Sequence, residues 1–212
     1  MTNNPSWKEN TTTRKIQFGG LAGGGISKLA VTTRPSGSND TIRATGVEGN
    51  VKYDVGFITQ FSIGKRIDLR PSVLASIESS DVTYERRGAA GSFITEKIPV
   101  KTTSVSIPVP FIYRLSGKNV SPFISAGPTF SLLMQKTDVN SAKLAIRPFD
   151  ISGDAGFGVD ISFQKSHSII SPELKYSRSL TDINDKQNTG YSNVISKLNR
   201  QTFTFSIYLR GN

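Results

Sequence analysis

The chain contains no cysteine, one tryptophan and one histidine in 212 residues. Disulfide frameworks and thiolate metal sites are therefore excluded, and histidine-rich metal clusters have no material. Long apolar runs are missing too. No stretch approaches the roughly 18 uninterrupted apolar residues of a membrane-spanning helix. Hydrophobic residues make up 36%, low for a packed soluble core of this length. Helical signal is weak, with room for a turn or two only at 6–13 and 193–198.

Period-two alternation is abundant, and it marks strands with two unlike faces. Phe203, Phe205, Ile207 and Leu209 alternate with Thr202, Thr204, Ser206 and Tyr208. Val51, Tyr53, Val55, Phe57 and Phe61 alternate with Lys52, Asp54, Gly56, Ile58, Gln60 and Ser62. The same holds for Ile67 to Ile77, Val105 to Tyr113, Val120 to Leu132, Ile151 to Phe163 and Ile170 to Tyr176. A glycine-rich first strand carries Ile16, Phe18, Ala22 and Ile26 on one face. These segments predict about eight strands, each long enough for the roughly 9–11 residues of a tilted membrane crossing.

Connections alternate strictly between short and long. The tight ones fall at 63–66, 115–119 and 164–167; the long ones are expected at 33–49, 86–99, 136–149 and 181–199. Bacterial transmembrane barrels join their strands by short periplasmic turns and longer outer loops. The expected fold is therefore all-β: a single up-and-down antiparallel transmembrane barrel over 14–212, with 1–13 a flexible segment and both termini periplasmic. The opening, Met1-Thr2-Asn3-Asn4-Pro5, has neither a charged nor an apolar leader region, and is expected to be a mature sequence with an added Met.

The formal net charge is +10. The basic residues are scattered singly or in pairs, without the stripe that nucleic-acid binding favours. Expected partners are outer-membrane lipid and lipopolysaccharide together with an envelope protein, and not nucleic acid. Lys65, Arg66, Arg114, Lys118 and Lys165 are expected to form a basic periplasmic surface at the short turns.

On the lumen face the alternation puts Lys52, Asp54, Asp68, Arg70, Glu78, Asp154, Asp160, Glu173 and Lys175. A narrow barrel is filled by side chains, and buried charges there are expected to pair. Arg70, Glu173, Lys175 and Asp154 are taken as its polar network. The glycines at 19–25 lack the following helix of a phosphate loop. His167, beside Ser168, sits in a turn without an orienting partner. No catalytic, cofactor or metal site is expected. Tyr53, Tyr113, Tyr176, Tyr208 and Trp7 are assigned to aromatic girdles.

Five motifs in order resemble an outer-membrane barrel family common in Bacteroidota. They are Phe18 to Gly25, Ile107-Pro108-Val109-Pro110-Phe111-Ile112-Tyr113, Ser121 to Pro128, Gly156-Phe157-Gly158-Val159, and Pro172 to Ser177. The resemblance covers about Lys15 to Leu209. It departs at Leu209-Arg210-Gly211-Asn212, which lacks the usual terminal aromatic. That family includes PorT-like barrels associated with type IX secretion and gliding, which implies a non-enzymatic structural or protein-interaction role in protein transport. Two alternatives remain at this point: a small-solute or ion conduit, and a soluble calycin-like binding barrel.

Overall fold

The computed structural model describes residues 16–33, 42–87, 92–115, 119–135, 146–163, 167–184 and 195–211. Its strands are β1 (Ile16–Thr33), β2 (Ile42–Ser62), β3 (Ile67–Leu69), β4 (Ser72–Arg87), β5 (Phe93–Pro108), β6 (Phe111–Arg114), β7 (Val120–Gln135), β8 (Phe149–Phe163), β9 (Ser168–Ser179) and β10 (Ile195–Gly211). Every pairing is antiparallel, and β1 pairs with both β10 and β2, which closes the sheet on itself. Closure removes the unpaired strand edges that a bilayer could not satisfy.

Ten segments build eight staves. β3 and β4 share one register against β2, and β5 and β6 share one against β7. Each pair is thus one strand with a nick, at Pro71 in the first and at Pro110 in the second. Proline has no N–H to give to a ladder. The two nicks face each other, and the ladder bridges them through Arg70 N–H to the Pro110 carbonyl, 3.0 Å.

Burial follows residue parity. Phe57 is 80% exposed while Gln60 is 1%, and Phe205 is 50% exposed while Thr204 is 1%. Apolar side chains face out and polar ones face in around the barrel. This is the reverse of a calycin and removes the soluble alternative, because so large an apolar exterior needs lipid contact.

Parts of two expected long loops are strand instead. Within 33–49, residues 42–49 lie in β2; within 86–99, residues 86–87 end β4 and 93–99 open β5, with Ile42 paired to Arg86 and Tyr84 to Glu96. Residues 34–41 and 88–91 are outside the described residues. β2 runs for 21 residues, about twice what a tilted crossing requires. Of the expected helical turns, 195–198 lies within β10, and 6–13 is outside the described residues, as is the expected flexible segment 1–13.

Candidate functional site: the polar interior

The short-turn end of the lumen holds three guanidiniums facing three carboxylates. Arg70 follows β3, Arg114 ends β6 and Arg210 lies near the end of β10; Asp68, Asp160 and Glu173 come from β3, β8 and β9. Asp160 is the hub. Its Oδ1 lies 2.5 Å from Arg210 Nη2 and 3.6 Å from Arg70 Nη2, and its Oδ2 lies 3.2 Å from Arg114 Nε. Ser171 Oγ also donates to Asp160, 2.5 Å. Arg114 Nη2 reaches Asp68 at 2.9 Å, and Arg70 Nη1 approaches Glu173 at 3.6 Å.

Uncharged groups complete the cluster. Gln60 donates to Asp68 (3.0 Å) and accepts from Arg70 Nε (2.9 Å) and from Arg210. Arg210 also donates to Gln17 of β1, 3.3 Å, so it crosses the seam where the last strand meets the first. Ser125 Oγ donates to Glu173. The Arg70 guanidinium lies 4.8 Å from the Phe123 ring centroid and 4.9 Å from that of Tyr208. Such cation–π contacts strengthen when desolvated.

Glycines on the inward face of β8 leave the room these groups occupy. A Cβ at Gly158 would stand 2.5 Å from the Phe123 ring. One at Gly156 would stand 2.8 Å from Glu173 Oε1.

Leu21, Ile58, Leu74 and Tyr208 form a small apolar cluster. Its place near a strand end suggests a girdle for Tyr208, yet its side chain is inside, 5% exposed. Its even number in β10 sets it with Thr204 and Ser206, and parity outweighs position near a strand end.

The second charged region gathers Lys52, Lys175 and Arg200 with Asp54, Glu78, Asp150 and Asp154. Lys52 Nζ donates to Asp54 at 2.7 Å, and Lys175 Nζ lies 3.7 Å from Asp154. Thr129 and Ser177 donate to Asp154 at 2.7 and 2.6 Å. Arg200 bridges Glu78 and Asp150, each at 3.1 Å. Between these groups lies a cavity of about 20 Å³ lined mainly by serine, threonine and the charged residues. That is space for about one water molecule. Beyond it, Ile183 and Leu198 are buried, and Asp182 Oδ1 accepts the backbone N–H of Asn184 (3.1 Å) and Leu198 (3.0 Å).

The structure thus brings the sequence-derived Arg70 and Glu173 into one cluster and Lys175 and Asp154 into another. Sequence reasoning missed Arg200, Arg210 and Asp150 as lumen members, although their parity with Thr202, Thr204 and Ser152 was available. Arg114 is corrected: it is not part of an exposed basic surface, because its guanidinium turns inward to Asp68 and Asp160. Lys65 and Arg66 are exposed in the first short turn, while Lys118 and Lys165 are outside the described residues. His167 is exposed in the β8–β9 turn at φ 50°, a left-handed conformation that histidine adopts more readily than most residues. Among the described residues, no group of three or more metal-ligating side chains is gathered.

No curated protein matches the sequence. Among solved structures, the outer membrane protein OprG from Pseudomonas aeruginosa is similar, with a TM-score of 0.51 and 11% identity over 92% of this chain and 94% of that one. Neisserial surface protein A is similar at a TM-score of 0.50 and 11% identity, over 90% of this chain and 95% of that one. At such identity the likeness speaks for the fold alone. Residues 3–185 match the family described as the outer membrane protein beta-barrel domain. With a closed antiparallel barrel, an apolar exterior and a charged interior, the chain belongs to that family of bacterial outer-membrane barrels.

Proposed function

We propose that this protein is a non-catalytic outer-membrane scaffold whose ends, rather than its lumen, engage other envelope components. One observation carries this: the charged side chains of the lumen are spent on each other. Six of the 26 Lys and Arg, and seven of the 16 Asp and Glu, meet inside the barrel. The surplus of positive charge therefore belongs to the outer wall, turns and loops. A filled narrow barrel gives solutes no wide path, which weighs against the conduit alternative.

In this proposal the short turns and both termini are periplasmic, in keeping with the general rule for bacterial barrels. Lys65 and Arg66, with Lys118 and Lys165 of the other two short turns, then offer a basic face to an acidic envelope protein. The PorT-like resemblance favours a secretion assembly as that partner's setting. Cysteine introduced at Gly64 and at Ser92 reports orientation: an impermeant reagent on intact cells should label position 92 and spare position 64. Combined Lys65→Glu, Arg66→Glu and Lys118→Glu substitution should then release proteins that co-purify in mild detergent, while the barrel stays folded. Full retention of every partner would end the periplasmic-face proposal.

A further inference from the structure

The outer wall is apolar over most of its height, but at the end away from the short turns it carries a cationic row. The ladders set Lys28 of β1 and Arg178 of β9 on either side of Gln201 of β10. Both cations are exposed and share the outward parity of Ile26 and Leu174. Neighbouring strands lie about 4.8 Å apart, so the two charges are based roughly 10 Å from each other. Two residues nearer the short turns, the same staves present Ile26, Phe203 and Tyr176 in register. The Tyr176 and Phe203 rings lie 5.2 Å apart, tilted by 49°.

This layering has a defined meaning in a bilayer. Aromatic side chains mark the boundary of the hydrocarbon region, and cations just beyond them stand at headgroup level. Lys28 and Arg178 differ from the lumen cations in one respect: among the described residues, neither is within ion-pair distance of a carboxylate. A basic side chain at such a level can lay its apolar stem along the neighbouring apolar surface while its charged tip reaches the headgroups. The complementary ligand has phosphate at the level of the row and an acyl chain beneath it. Two cations two strands apart suit a headgroup that bears more than one phosphate.

We infer that Lys28 and Arg178, above Ile26, Phe203 and Tyr176, form a docking site for a phosphorylated glycolipid of the lipid A type in the outer leaflet. The assignment of leaflet rests on the orientation proposed above; the cysteine labelling tests that orientation separately. The site is tested on the full chain refolded in detergent, with native mass spectrometry counting lipid retained after incubation with lipid A, with its phosphate-free derivative and with phosphatidylglycerol. Wild type should retain lipid A in preference to the other two. Each basic side chain near an anionic surface contributes about fivefold to binding, so Lys28→Gln with Arg178→Gln should weaken retention by roughly 25-fold. Lys101→Gln, which removes an exposed cation from β5 on another stave, should leave retention unchanged. A heat-dependent gel shift confirms that each variant is folded. Equal retention by the double variant overturns the site. Equal, variant-sensitive retention of phosphatidylglycerol overturns the lipid A assignment, and a dimer that carries no lipid on this face overturns both.

Discussion

Arg210 Nη2 lies 2.5 Å from Asp160 Oδ1, joining strands 50 residues apart in the chain. Asp160 also faces Arg70 and Arg114, so a single carboxylate contacts three guanidiniums. Removing it would leave three cations facing only Asp68 and Glu173. Asp160→Ala should destabilise the folded barrel by about 3–5 kcal/mol, the usual cost of orphaning buried charge. Urea unfolding in lipid vesicles measures this. Adding Arg210→Met should recover part of the loss, because the two sites are coupled; strict additivity would contradict the hub.

Facing is tested by a neighbouring pair in β10. Phe205→Arg places a charge in lipid and should cost roughly 2–4 kcal/mol near the midplane. Thr204→Arg instead meets the packed lumen, so its effect should respond to removal of a nearby lumen cation, whereas that of Phe205→Arg should not. Vesicle-insertion equilibria of the four variants separate the two, and identical behaviour would contradict the inside-out assignment.

Glycine positions make a second contrast. Gly158→Ala drives a methyl group to 2.5 Å from Phe123 and 2.6 Å from the Pro172 carbonyl, and should cost about 1–3 kcal/mol through overpacking. At Gly20 the nearest atom to an added Cβ is 3.7 Å away. Gly20→Ala should therefore stay within about 0.5 kcal/mol of wild type, as most surface changes do. Unfolding midpoints that fail to separate the two would show that lumen space at β8 is not tightly used.

Arg200 supplies a prediction for the other charged region. Arg200→Met leaves Glu78 and Asp150 without their shared guanidinium. Stability at neutral pH should fall by about 3–5 kcal/mol. Arg200→Lys keeps a cation between the two carboxylates and should lose less than Arg200→Met, as urea unfolding in lipid vesicles measures. Equal losses in the two variants would argue against the charge bridge.

Much of this was legible from single segments. A strand's side chains alternate whatever its partner, so Phe203, Phe205, Ile207 and Leu209 declared the lipid face before any ladder was known. Parity likewise assigned Lys52, Asp54, Asp68 and Glu173 to the interior, and the short turns at 63–66, 115–119 and 164–167 fixed the antiparallel order. Alternation gives a face but no depth. Where Arg210 sits relative to Asp160, and that Gln17 and Gln60 join them, depends on register across staves and on closure of β10 against β1. Arg114 shows the limit most plainly. Its place beside a basic turn suggested exposure, yet a long side chain at a strand end can turn either way, and the carboxylates of Asp68 and Asp160, brought beneath it by β3 and β8, made the inward direction the lower in free energy.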